Sequence, residues 1–280
     1  MRLIAVTNHK GGSAKTTTVV SLAAALGELG SRVLVIDMDP QGSATSWLGV
    51  ALGDRHTLES YLDKADLSRI ARPTTAHGVD LIASSPYLVA AGRKEEIALS
   101  LGVMAALERL PMAWDYVLVD CPPSQVPLSV APLAVCPDVI IPVEARIMAL
   151  TGVVSLLGTM DAVRERLNPN LSVHAILACR VDQSRHAQEV VEHLRAHYPS
   201  EVLDTIIRDD ISLAEAPSFQ VPIMRYAPDS PGAEDYRAAA QELLRREREA
   251  VGRPRAWTQP APAPAFELSA NGRPRIGVTA

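Results

Sequence analysis

The 280-residue chain has little aromatic content, with two Phe, three Trp and six Tyr making up 4% of it. A core must therefore be assembled from Val, Leu, Ile and Ala, in line with a hydrophobic content of 48%. Cysteine is scarce as well. Cys121, Cys136 and Cys179 are odd in number, widely spaced and without a C-x-x-C pair. That pattern argues against a disulfide framework or a zinc site and suits a reducing cytosol, with Cys121 and Cys136 read as packing residues. No apolar run approaches the roughly 18 residues that span a bilayer. Met1-Arg2 leads straight into an apolar segment, with none of the cleavage region of a signal peptide. The expectation is a soluble, cytoplasmic protein. Excess positive charge is missing too, since the formal net charge is −5. Residues 251–280 carry Arg253, Arg255, Arg273 and Arg275 against Glu267, a balance of +3 that leaves the body at −8. The field of the body repels phosphates, so any DNA contact needs a local basic patch.

What the chain does have is alternation. Leu3–Thr7, Val33–Ile36, Val79–Ala83, Val117–Val119, Val139–Val143 and Val173–Ala178 read as strands of near-continuous apolar character, as in a parallel sheet covered on both faces. Between them, Lys15–Leu29, Lys94–Leu110, Thr151–Leu167, Gln188–His197 and Gly232–Arg248 read as helices. This order predicts an α/β fold, a doubly wound and mostly parallel sheet with right-handed crossovers. The folded body is expected to be one ATPase domain over 1–250. Beyond it, the Pro/Ala tract Thr258–Ala265 predicts a disordered tail over 251–280.

Residues 8–17, Asn-His-Lys-Gly-Gly-Ser-Ala-Lys-Thr-Thr, lie between the first strand and the first helix. Successive backbone N–H groups and a helix N-terminus there form a phosphate cradle. Lys15 is placed to reach the β- and γ-phosphates, and the Thr16 hydroxyl to ligate Mg²⁺. The ordinary spacing G-x-x-x-x-G-K-[ST] fails at both glycines, because His9 and Ala14 stand in their positions. What fits is Lys-Gly-Gly-x-x-Lys-Thr, with a second lysine, Lys10, at the loop entrance. Two further strand ends carry carboxylates. Asp37-Met-Asp-Pro-Gln-Gly follows the second strand, and Asp120-Cys-Pro-Pro closes the strand Val117–Val119. A carboxylate at such a strand end can order a metal-bound water or orient the attacking one.

The loop resembles the deviant Walker A motif of the ParA/MinD superfamily, and Asp37–Gly42 and Asp120 look like its switch and Walker B motifs. The segment Ile211-Ser-Leu-Ala-Glu-Ala-Pro-Ser218 resembles the one that closes over the adenine in the ParA/Soj branch, which makes Pro217 a candidate nucleotide contact. The resemblance covers about residues 1–250. It implies ATP and Mg²⁺ as cofactors and an ATP-dependent sandwich homodimer, in which Lys10 crosses into the partner's site while Lys15 serves its own. Gly11, Gly12, Ser13, Ala14, Lys15, Thr16 and Thr17 would cradle the phosphates, and Gly11 and Gly12 would let the two subunits approach closely. Asp39 would position the hydrolytic water, with Thr16, Asp37 and Asp120 around Mg²⁺. Hydrolysis would be slow and stimulated by a ParB-like partner.

The branch implies non-specific DNA binding by the dimer, nucleoid association, and partition of a plasmid or chromosome. A positioning ATPase for a protein cargo, or a MinD-like regulator on a membrane surface, are the alternatives. The tail lacks an apolar stripe, which disfavours the membrane. The basic residues of the DNA face are only partly present. Arg185 is kept in Asp182-Gln-Ser-Arg185, but Asp209 and Ser212 stand where the resemblance leads one to expect arginine, with Arg208 a partial offset. DNA binding by the body should therefore be weak. Gly252-Arg-Pro-Arg255 and Gly272-Arg-Pro-Arg275 carry the Gly-Arg-Pro core of minor-groove hooks. The tail is thus either a solubilising segment or a second DNA contact through Arg253, Arg255, Arg273 and Arg275.

Overall fold

The computed structural model describes residues 1–50, 67–85, 88, 93–123, 127–146, 149–250, 266–268 and 274–276. Seven strands form one sheet: β1 (Arg2–Val6), β2 (Val33–Asp37), β3 (Arg72–Pro73), β4 (Val79–Ile82), β5 (Tyr116–Asp120), β6 (Asp138–Glu144) and β7 (Ser172–Cys179). Their spatial order is β3-β4-β2-β5-β1-β6-β7. Every pairing is parallel except β3 with β4 at the edge. The helices are α1 (Lys15–Glu28), α2 (Ser43–Trp47), α3 (Arg93–Glu108), α4 (Pro127–Val135), α5 (Ala149–Arg166), α6 (Arg185–His197), α7 (Ser212–Glu215), α8 (Ile223–Tyr226) and α9 (Pro231–Glu249).

The strands are buried on both faces, and their alternate residues feed two separate cores. Leu34, Ile36, Val117 and Val119 meet Val103, Leu107, Leu156, Met160 and Leu194 of α3, α5 and α6. Ile4, Val6, Val33, Val35 and Leu118 meet Val19, Leu22, Leu26, Tyr236 and Leu243 of α1 and α9. This is why the strands read as continuous apolar runs rather than as alternating ones.

Strand order carries the functional consequence. β5 lies between β2 and β1, with Asp37 opposite Asp120 and Val6 also opposite Asp120 in register. Both carboxylates and the loop leaving β1 therefore emerge side by side at the carboxyl edge of the sheet, where open α/β folds bind ligands.

The opposite edge is closed by a polar cluster. Glu247 of α9 accepts hydrogen bonds from the Tyr116 hydroxyl and pairs with His174 at 3.2 Å and Arg2 at 3.3 Å. This pins the last turns of α9 beneath β1, β5 and β7. Burial alone would raise the Glu247 pKa, but the bonds from His174 and Tyr116 and the Arg2 charge hold it below the usual range.

Two short strands occur within the tail. β8 (Phe266–Leu268) and β9 (Pro274–Ile276) pair antiparallel, with Glu267 opposite Arg275. Phe266, Leu268 and Ile276 are the strand formers of a segment otherwise rich in breakers. Arg253, Arg255 and Arg273 lie outside the described residues.

Candidate nucleotide site

A cleft of about 520 Å³ opens at the carboxyl edge of the sheet, large enough for a nucleotide. Gly11, Gly12, Ser13, Ala14, Lys15, Thr16 and Thr17 line one end with Asp39 and Pro123. Arg180, Ile207, Asp209, Asp210, Ile211, Leu213 and Ala214 line the other. Pro217, expected against the base, is not among the lining residues. Asp209, Asp210, Ile211, Leu213 and Ala214 line the cleft nearby, and Pro217 lies in the one-turn helix Ala216–Phe219.

The loop is held by its own side chains. Asn8 is buried, donates from Nδ2 to Pro142 O at 2.8 Å, and accepts the Lys10 amide on Oδ1 at 3.1 Å. Helix α5 presses against this turn: a Cβ on Gly152 would meet Asn8 Oδ1 at 3.3 Å. Gly12 (φ 73°) and Ala14 (φ 64°) both adopt left-handed backbone. For Ala14 that conformation is strained, because its Cβ crowds the carbonyl. At Gly11 and Gly12 an added Cβ would meet nothing within 4 Å, so the loop leaves open space above them.

Lys15 is only 6% exposed, and its Nζ donates to Lys10 O at 3.2 Å. Burial lowers its pKa, a shift opposed by the Asp120 carboxylate. His9 is likewise pushed down, by burial and then by the Lys15 charge. Lys10 points elsewhere. It does not line its own cleft, and its ammonium lies 3.7 Å from Glu144 Oε2.

Asp37 and Asp120 divide their work. Asp37 Oδ1 accepts the Asp39 amide at 3.1 Å, and Oδ2 accepts the Thr45 amide and hydroxyl at 2.8 and 2.7 Å. Both its oxygens are thus spent on shaping the loop that carries Asp39. Ser84 completes the arrangement, donating its amide to Thr45 Oγ1 and its hydroxyl to Asp39 O. Asp120 Oδ2 accepts the Thr16 hydroxyl at 2.8 Å, while its Oδ1 is buried with no hydrogen-bond partner among the described residues. Ser13 Oγ is buried without one as well. Burial pushes Asp37 up to about 6. Burial and then the neighbouring Asp37 charge push Asp120 well above the carboxylate range. Two buried carboxyls on adjacent strands with an orphaned oxygen fit a divalent cation, which would favour their ionised forms. Among the described residues no group of three or more His, Cys, Asp or Glu side chains could hold a metal ion. A cation here must share its shell with phosphate oxygens and water, as Mg²⁺ does.

Helix α9 braces the loop from below. The buried Tyr236 hydroxyl is 3.1 Å from Thr18 Oγ1, one turn into α1. The Gln220–Val221 turn is tied to α2 through Trp47, whose Nε1 donates to Val221 O at 2.8 Å, and to the β3–β4 turn through Thr75, whose hydroxyl donates to Gln220 O at 3.0 Å.

The expected DNA-facing residues fare unevenly. Arg185 is the first residue of α6 and is highly exposed, although its Nε lies 3.1 Å from Glu189 Oε1. Arg208, expected to offset lost positive charge, is instead neutralised: it grips Asp235 at 2.8 Å and Glu234 at 3.1 Å, both at the start of α9. Those partners lie 26 and 27 residues downstream, and no local pattern announced them. Arg180, Glu144, Thr45 and Tyr236 are contributors that the motifs did not reveal. Cys121 and Cys136 are buried as anticipated, Cys179 is buried too, and burial holds all three thiols protonated.

The AAA domain family matches residues 1–173. The chain is 43% identical over 255 residues to the chromosome-partitioning ATPase Soj of Thermus thermophilus, covering 89% of this chain and 98% of that protein. It is 36% identical over 249 residues to the sporulation initiation inhibitor protein Soj of Bacillus subtilis, covering 86% and 98%. Among solved structures, cobyrinic acid a,c-diamide synthase from Mycobacterium smegmatis with bound ADP and magnesium is similar, with TM-score 0.73 and 31% identity. That match covers 92% of this chain and all of the other.

Proposed function

Because the chain belongs to the ParA/Soj-type partition ATPases of the ParA/MinD family, we propose that it works as an ATP-switched dimer that carries DNA or a DNA-bound complex. The observation that carries this reading is the division of labour between two lysines. Lys15 is buried inside its own cleft, whereas Lys10 is turned out of it and held on Glu144. A lysine at a phosphate loop that does not face its own phosphates is positioned to serve a second subunit, in the manner of an arginine finger.

In this mechanism the backbone amides of Gly11–Thr17 bind the phosphates, and Lys15 neutralises their charge. Thr16 and Asp120 would hold Mg²⁺, which supplies charge neutralisation on the phosphate oxygens when bound. Asp39 orients a water for in-line attack on the γ-phosphorus. The bond to the β-phosphate bridging oxygen breaks, ADP departs, and the water's proton ends on the released phosphate. Lys10 from the partner stabilises the developing charge, so the γ-phosphate both assembles the dimer and starts its timer. Hydrolysis is slow until a ParB-like protein stimulates it.

The dimer binds DNA non-specifically on the cytoplasmic nucleoid, through Arg185 and the tail arginines. The body contributes little, since Arg208 is already paired with two carboxylates. Among the described residues no helix is long and apolar enough to cross a membrane.

Binding of the full-length protein to a random DNA duplex, with ATP and then with ADP, tests this reading. Binding should require ATP, and alanine at the four tail arginines should weaken it and make its salt dependence shallower. Equal binding in both nucleotides would contradict it.

A further inference from the structure

Asp39 lines the cleft just past the carboxyl end of β2, in a tight turn whose hold on the sheet decides where its carboxylate stands. Inside the turn, the Gly42 amide donates to Asp39 O at 2.8 Å and the Gln41 amide donates to Asp39 Oδ1 at 3.0 Å. Asp37 Oδ1 takes the Asp39 amide at 3.1 Å. These three bonds lie within residues 37–42, so they shape the turn without placing it. The ladder to β5 ends one residue too early, at Met38 N to Asp120 O, 3.0 Å.

A neighbouring strand supplies the missing tether. Ser84 lies two residues beyond β4, which runs parallel to β2 with Ile82 opposite Ile36. Its hydroxyl donates to Asp39 O at 2.6 Å, and its amide donates to Thr45 Oγ1 at 2.9 Å. The Thr45 hydroxyl donates onward to Asp37 Oδ2 at 2.7 Å. Ser84 therefore holds the turn at two points, at Asp39 itself and through the first turn of α2. Ser84, Thr45 and Asp37 are fully buried, which strengthens each of these bonds. The Asp39 carbonyl already accepts the Gly42 amide, so the Ser84 bond is not needed to satisfy it. Serine hydroxyls commonly bond to backbone close by in sequence. This one reaches 45 residues back, to the residue that faces the cleft. A second donor on that carbonyl fixes the direction of its peptide plane.

Resting on the ATPase reading, with Asp39 as the residue that orients the attacking water, we infer that Ser84 is a positioning residue for hydrolysis. Its hydroxyl sets the Asp39 carboxylate against the phosphate end of the cleft. Ser84 is not among the residues that line the cleft, so it acts through Asp39 and does not touch the nucleotide. Its loss falls on the chemical step and spares nucleotide binding. A reacting group displaced by about 1 Å costs on the order of a hundredfold in rate.

Single-turnover ATP hydrolysis by the full-length chain with Mg²⁺, in a double-mutant cycle with Asp39→Asn, tests the inference, with nucleotide affinity measured alongside. Ser84→Ala should slow hydrolysis about ten- to a hundredfold and leave ATP affinity within about threefold of wild type. Placed on Asp39→Asn, the same substitution should slow hydrolysis by less than about twofold, because the group it positions is already disabled. Ser84→Cys, of similar size but a weaker donor, is a second variant for the same cycle should alanine disturb the fold, and a smaller loss is expected. Unchanged hydrolysis by Ser84→Ala would overturn the inference. So would a loss confined to ATP affinity, or a loss just as large on the Asp39→Asn background, since a packing role alone slows both backgrounds alike. An Asp39→Asn protein that hydrolyses ATP like wild type would instead overturn the reading of Asp39 on which the inference stands.

Discussion

Lys10 Nζ lies 3.7 Å from Glu144 Oε2 within one subunit, at the mouth of a loop whose other lysine faces inward. Glu144 Oε1 is meanwhile 3.0 Å from both Arg146 and Arg180. The contact holds Lys10 in place before a partner arrives and must break if Lys10 is to cross. With the Lys10 side chain 36% exposed, such a contact contributes about 0–1 kcal/mol. Glu144→Gln should therefore tighten ATP-dependent dimerisation by a few-fold, read as a lower midpoint concentration in sedimentation. A loosened dimer would mean that Glu144 supports the dimer rather than restraining Lys10.

Burial raises the Asp37 pKa to about 6 and lifts Asp120 well above the ordinary carboxylate range. Asp120 must ionise to hold a cation, and the cation's charge favours ionised Asp37 beside it, so Mg²⁺ binding expels protons. Mg²⁺ affinity of the nucleotide complex should fall as pH drops below about 6, by up to roughly tenfold per pH unit for each proton taken up. The sign reverses for the metal-free protein. A carboxyl whose pKa is raised by folding costs stability once ionised, so the contribution of Asp37 improves as pH falls through 6. Calorimetric Mg²⁺ titrations at pH 5.5, 6.5 and 7.5 check the first statement, and thermal melts without metal check the second.

Ala14 holds a left-handed backbone at φ 64° where glycine would carry no Cβ penalty. Ala14→Gly should raise unfolding stability by roughly 0.5–1 kcal/mol, the released strain exceeding the added chain entropy. Urea denaturation measures it. A loss of stability would show that the Ala14 methyl packs usefully.

Glu247 anchors α9 to the far edge of the sheet through Tyr116, His174 and Arg2. Glu247→Ala should cost about 1–3 kcal/mol, because three polar groups lose a partially buried acceptor. Its folded pKa is depressed, so its contribution is present above the unfolded carboxylate pKa and is lost as pH falls through the folded value. Melts of wild type and variant should therefore converge in acid.

Much of this was legible in the sequence, because the parallel strands are buried on both faces and announce themselves as apolar runs. The five long helices and six strands lie within a few residues of their expected positions. α4 was missed because Pro127 and Pro132 disguise a helix, and β3 because two residues at a sheet edge carry no periodicity. At the site, the Thr16 hydroxyl donates to Asp120, whose charge also acts on Lys15. The spending of Asp37 on the Thr45 loop, the neutralisation of Arg208 and the reach of Ser84 to Asp39 all depend on partners brought together by the fold, and local spacing does not encode those. The AAA-family match and the Soj relatives bear out the family resemblance that the motifs carried.

The central claim is that Lys10 serves a second subunit. Light scattering of Lys10→Ala with a slowly hydrolysed ATP analogue and Mg²⁺, alongside nucleotide binding by the same variant, tests it most directly. The account predicts that the variant binds nucleotide about as tightly as wild type and remains monomeric, while wild type dimerises. A Lys10→Ala protein that dimerises with ATP like wild type would contradict it.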